Sequence, residues 1–212
     1  MANLMDGVVD DTKVYKGAGR ALYAASVADG GPAFPTKIED VIEPTTFVLA
    51  SGWHDFGATT KDGVSVTRTL ELEDGVETDQ LTTTILGGAP KTWKGQVKLT
   101  MLHTDLDSLV IGFESPAKEA VADGEAGAQY VLKVGTPTAL TERQLAVVQR
   151  HSQVNKYRML AVRRAMLAPV DLEIALKSSD AAQLALTFDM TADTNQDVDD
   201  NMFQIIEMST AI

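Results

Sequence analysis

From Val64 the chain falls into a period of two. Val64, Val66, Leu70 and Leu72 lie on one side and Ser65, Thr67, Thr69, Glu71 and Glu73 on the other, with Arg68 interrupting the apolar row. The pattern recurs three times. Val97, Leu99 and Met101 alternate with Gln96, Lys98 and Thr100. Val170, Leu172, Ile174 and Leu176 alternate with Asp171, Glu173, Ala175 and Lys177. Leu184, Leu186, Phe188 and Met190 alternate with small or polar residues. In an extended chain successive side chains point to opposite faces, so each run describes a strand with one covered and one wet face. Such strands belong to antiparallel sheets, and they predict a mainly β chain. The stretch SSDAA, 178–182, between the last two runs predicts a hairpin.

One helix is expected, at about 104–113. Leu106, Leu109, Val110 and Phe113 repeat at helical spacing, Thr104 and Asp107 form a capping box, and Gly112 marks the end. Residues 141–167 leave two readings open. Their composition favours a helix, but Ser152, Asn155 and Arg163 break its stripe, and two strands around a turn near Gln153–Lys156 fit equally well. In SGWHDFGATTKDGVSVTR, 51–68, the local reading is strand, turn, strand, with Asp62-Gly63 as the turn. Residues 29–52 read as loop, punctuated by Pro32, Pro35 and Pro44. A first strand is expected within 13–25, interrupted by Gly17 and Gly19. Residues 73–95 form a Thr-rich inter-strand loop whose length points to function. The organisation expected is an N-terminal arm (1–12), a single domain (13–208) and a short C-terminal end (209–212).

Composition closes several routes to chemistry. With no cysteine in 212 residues, disulfides, thiolate metal sites and cysteine nucleophiles are excluded. His54, His103 and His151 share no metal-binding spacing. Asp193, Asn195, Asp197 and Asp199 start a calcium-loop pattern, but Val198 and Gln204 stand where it needs glycine and glutamate, which leaves an acidic surface loop. Gly17-x-Gly19 lacks the third small residue of a dinucleotide fingerprint, because Leu22 occupies that place. No serine or threonine is framed as a nucleophile. The expectation is therefore no catalytic, cofactor or metal site, and no enzyme. A net charge of −12 argues against a protein that grips DNA by releasing counterions. No apolar run approaches the ~18 residues of a membrane span, and the acidic N-terminus predicts no export signal.

In order and texture the chain resembles the major tail tube proteins of long-tailed, non-contractile, siphovirus-type bacteriophages. GWHDFGATTKDGVSVTRTLE is similar to that family's aromatic-bearing strand and its acidic-Gly turn into a long strand. GQVKLTMLHTDLDSLVIGF resembles a strand running directly into a helix. APVDLEIALKSSDAAQLALTFDMTAD resembles the C-terminal hairpin. The likeness covers about residues 13–208 and would place strands in 141–167.

The resemblance implies a β-sandwich or barrel-like tail-tube fold with one flanking helix. It implies a structural virion protein, made in the host cytoplasm, that stacks as hexameric rings into a hollow tube conducting DNA from capsid to cell. Its partners would be further copies of itself, a tape-measure protein inside the tube, and terminator and distal tail proteins; DNA would pass without specific binding, and no membrane is involved. The loop carrying Glu77, Asp79, Thr82, Thr83, Thr84, Ile85 and Leu86 would join rings. Glu71, Glu73 and Asp74 are candidates to meet Arg158, Arg163 and Arg164 between subunits. An acidic lining would repel DNA, which carries one charge per ~1.7 Å of axis, and so keep friction low. Two other readings fit the strands: a different virion ring protein (terminator, distal tail or decoration), or a soluble ligand-binding β-sandwich.

Overall fold

The computed structural model describes residues 19–57, 59–72, 90–102, 106–115, 119–124, 127–135, 139–150, 156–168, 174–175, 183–197 and 200–209. Its strands are β1 (Gly19–Ala25), β2 (His54–Asp55), β3 (Thr59–Leu72), β4 (Pro90–Met101), β5 (Glu119–Gly124), β6 (Gly127–Val131), β7 (Arg143–Arg150), β8 (Lys156–Leu167), β9 (Ile174–Ala175), β10 (Gln183–Met190) and β11 (Phe203–Ser209). Among the described residues one α-helix, α1, spans Leu106–Gly112. Nine strands form one antiparallel sheet in the order β2-β1-β7-β8-β10-β4-β3; β11 joins β8 and β9 joins β10. β5 and β6 make a separate hairpin.

The alternating runs in β4 and β10 fold as their period requires. Val97, Leu99 and Met101 of β4 and Leu184, Leu186, Phe188 and Met190 of β10 are buried. In register, Val97 faces Phe188 and Leu99 faces Leu186. Val64 and Val66 pack against the same cluster. The two readings of 141–167 resolve to strands: β7 and β8 pair antiparallel, Arg150 opposite Tyr157. Their faces are apolar on both sides, which blurred the period.

The sheet curls so that its two halves share a core. Ala21 of β1, Leu145 of β7, and Val162 and Ala165 of β8 meet Val97, Leu99, Met101, Leu186 and Phe188 in one cluster, with Ile111 of α1. The Phe56 and Phe188 rings lie 5.7 Å apart, and Phe56 is 4.7 Å from Tyr23. Both pairs are tilted, an arrangement that aromatic quadrupoles favour over a face-to-face sandwich. The mainly β expectation is therefore met, with one large antiparallel sheet. Each fully buried Leu or Phe contributes ~1.5–3 kcal/mol.

A second core lies on the opposite face of β1, β7 and β8. Leu22, Ala24, Ala146, Val148, Tyr157, Met159 and Ala161 pack there against Ile38, Val41, Ile42 and Trp53. Residues 29–52, read as loop, thus act as a cover. Two 3-10 turns, Val27–Asp29 and Ile38–Asp40, and an Ile42–Leu49 bridge shape it. Trp53 belongs to this core and Phe56 to the first.

Several boundaries differ from expectation. Asp62-Gly63 is no hairpin turn. It lies inside β3, where five steps from Thr59 to Val64 face only two, from Met101 to Leu99. Gly63 has φ 69°, so the pair builds a bulge, a use of left-handed glycine as natural as a turn. β4 starts at Pro90, so 90–95, expected as loop, are strand. The α1 stripe is shifted as well: Leu109 packs on the core, but its buried neighbour is Ile111, which the helical spacing did not select. Thr104 of the capping box, residues 1–18 with the arm, the SSDAA turn, most of the 170–177 run and 210–212 lie outside the described residues.

Candidate assembly surfaces

The half-sheet β10-β4-β3 has a wet face as well as a buried one. On it Ser65 stands opposite Lys98, Thr67 opposite Gln96, and Thr69 opposite Lys94. Lys98 in turn faces Thr187, and Gln96 faces Asp189. Gln96 Nε2 donates to Asp189 Oδ1 at 2.8 Å. Ser65, Thr67, Thr69, Lys94 and Lys98 are exposed. Among the described residues no strand pairs with the outer edge of β3 or of β11. Each edge is a row of backbone donors and acceptors open to another chain.

Of the residues singled out for assembly, Glu71 sits in β3 opposite Thr92. Glu73, Asp74, Glu77, Asp79, Thr82, Thr83, Thr84, Ile85 and Leu86 lie outside the described residues. Arg158, Arg163 and Arg164 all belong to β8, and each has a carboxylate partner within the subunit. Arg158 binds Glu207 across the β8–β11 pair through Nε, 2.7 Å, and Nη2. Arg163 binds the Asp200 carboxylate, donates to Asp200 O at 2.6 Å, and lies 3.9 Å over the Phe34 ring. Arg164 holds Glu142 through two bonds, and this contact raises its guanidinium pKa above the ordinary value.

Arg163 and Arg164 sit at a bulge. From Val162 to Ala165 β8 takes three steps while β7 takes two, from Leu145 to Arg143. The extra residue keeps Val162 and Ala165 on the same core face, and the two arginines fall between them. With Glu142, Asp193, Asn195, Gln196 and Phe34 they line an open cleft of about 370 Å³. At the cleft Arg164 pairs with Glu142, and Arg163 reaches Asp200.

Two features had only a faint sequence signal. Arg143, inside an apolar strand, forms a buried ion pair with Glu114 (Nη1–Oε1 2.5 Å, Nη2–Oε2 3.2 Å) at the end of α1. The amide of buried Gln144 donates to Ala25 O at 3.2 Å and Pro32 O at 2.6 Å, tying the cover to β7. A polar residue in an otherwise apolar run was the only clue to either.

The surfaces are thus sheet edges and charged rows rather than a pocket with chemistry. Comparison with known families accounts for this. The phage tail tube protein family matches residues 8–207. The chain belongs to that family. A search of curated proteins gave no match. A tail tube protein is a structural component of the virion that assembles with copies of itself, and open strand edges suit such a subunit. The match spans both cores and every described strand except the last two residues of β11, Met208 and Ser209.

Proposed function

We propose that the subunit closes into hexameric rings which stack into a non-contractile tail tube, and that the tube conducts DNA from capsid to host cell. The observation that carries this reading is the β10-β4-β3 half-sheet, apolar within, hydroxyl- and amide-rich without, and ending on a β3 edge that no other described strand pairs with. Ring closure satisfies such edges because it abolishes them. The wet face would then line the bore. Its described part mixes Lys94 and Lys98 with Asp189, so repulsion of DNA would rest on the acidic run from Glu71 to Asp79.

In this reading the 73–89 segment, with Glu77, Asp79 and Thr82–Leu86, reaches the neighbouring ring. Glu71, Glu73 and Asp74 meet Arg158, Arg163 and Arg164 of another subunit. A guanidinium has five donors, so an arginine already holding one carboxylate accepts a second. Arg158, with 42% of its side chain exposed, is the best placed. Tape-measure, terminator and distal tail proteins complete the set of partners, and the protein acts without catalysis, cofactor or membrane.

Negative-stain electron microscopy of the purified protein, alone and with tail initiator proteins, tests this. Rings or tubes of sixfold symmetry with a central hole are expected. A protein that stays monomeric under every assembly condition would overturn the proposal. A single ring that never stacks would point to a terminator-like role.

A further inference from the structure

The turn Glu43–Val48 combines three properties that rarely coincide. It is strained: Phe47 has φ 57°, in the left-handed region that an aromatic side chain seldom enters. It is fastened: Phe47 N donates to Glu43 O at 2.7 Å, and Glu43 N donates to Val48 O at 2.9 Å. Tyr157 Oη donates to Pro44 O at 2.9 Å, and Arg20, itself paired with Asp55, donates from Nη1 to Phe47 O at 3.0 Å. And it displays apolar surface: Phe47 is 43% and Val48 64% exposed. A surface turn could avoid the strain with glycine or asparagine at position 47. Backbone strain that its surroundings hold in place marks a functional position.

We infer that Phe47 and Val48 form a preorganised apolar knob that docks onto a second copy of this chain. The inference rests on the tube reading above, since copies of this chain are the surface a tube subunit meets most. The turn also lies near a strand edge that no other described strand pairs with. Tyr157, which holds Pro44, stands opposite Met208 of β11, so the knob and the open β11 edge share one end of the sheet. A rigid aromatic presented without ordering cost is the kind of residue that dominates an interface.

The test uses Phe47→Asn, because asparagine tolerates the left-handed region, and Val48→Ser as a second variant that leaves the turn geometry alone. Thermal melts of the free subunit should be unchanged or higher for Phe47→Asn. The protein concentration needed for tube formation should rise about tenfold or more for both, the scale of a lost hot spot. A photo-crosslinking residue in place of Val48 should yield covalent dimers of this chain in assembled tubes. Tubes that form at the wild-type concentration in both variants would overturn the inference while leaving the tube reading intact. So would tubes that give no crosslink, or a crosslink only to a different tail protein. Wild-type protein that never assembles would remove the tube reading, and this inference with it.

Discussion

Glu114→Gln should be among the most damaging single changes outside the apolar cores. The Glu114 carboxylate receives two bonds from Arg143 and a third from the Thr141 amide at 3.3 Å. The side chains of Arg143 and Glu114 are only 9% and 2% exposed. Glutamine keeps the shape and the left-handed backbone at position 114 (φ 48°), so backbone strain is the same before and after. What changes is charge: a guanidinium stays buried without its counterion. Breaking such a pair from one side costs about 3–5 kcal/mol, a large share of a typical ~5–15 kcal/mol stability. At roughly 2–4 °C per kcal/mol for a chain of this size, the melting temperature should fall by about 6–20 °C. Urea unfolding should show the same loss as a lower midpoint with an unchanged slope. Arg143→Met combined with Glu114→Leu removes both charges, and the double variant should lose far less than the two single changes added together. Single variants within about 0.5 kcal/mol of wild type would refute the reasoning. They would show that the pair behaves as an exposed one, worth ~0–1 kcal/mol.

Four further outcomes are expected. Deleting Thr82–Ala89, which stops short of β4, should leave a folded subunit whose rings cannot stack; normal tubes by microscopy would sink the loop's assigned role. Raising salt from 0.1 to 1 M shortens the screening length from ~10 to ~3 Å, so tubes held by Glu71–Asp79 against β8 arginines should disassemble at lower temperature, and indifference to salt would count against those contacts. Gly31→Ala places a Cβ 2.0 Å from Ala25 O, which forces the backbone apart at a cost of about 1–3 kcal/mol; an unchanged urea midpoint would contradict this. At Asp40 burial pushes the carboxyl pKa up, but hydrogen bonds from Thr36 and Lys37 outweigh it and hold it below the ordinary 3.8. Its contribution is therefore present above that value and lost as pH falls through the lower folded value. Asp40→Asn should be less stable than wild type at pH 7, and the gap should close in acid; a gap constant down to pH 2 would refute it.

The wet and dry faces of β3, β4 and β10 were legible because one face of each strand meets solvent, and that contrast writes itself into the sequence with period two. β7 and β8 hid the same geometry. Leu145 and Val162 face one core while Ala146, Met159 and Ala161 face another, so apolar residues fall on both faces and the period blurs. The cover formed by 29–52 was illegible for a related reason. Ile38, Val41, Ile42 and Trp53 are spaced by turns and prolines, and nothing local says that they converge. β11 was missed too: Ile206 and Met208 pack inward while Ile205 is exposed, so hydrophobicity alone assigns no face. The charged residues themselves could be read directly from the sequence. The internal carboxylate partners of Arg158, Arg163 and Arg164 could not, because Glu207, Asp200 and Glu142 reach them only across strand pairs and a bulge.

By itself, the sequence determined a mainly β subunit with a polar sheet face and a likeness to tail tube proteins, since alternation and residue order are local properties carried by each segment. Only the tertiary structure decided that Asp62-Gly63 bends a strand instead of ending it, that Trp53 and Phe56 serve two different cores, and that Phe47 is held outward under strain. In each case the deciding energy comes from contacts between segments far apart in the chain. A dipeptide such as Asp-Gly permits a left-handed residue, but whether that residue closes a hairpin or relieves a bulge depends on the strand it meets.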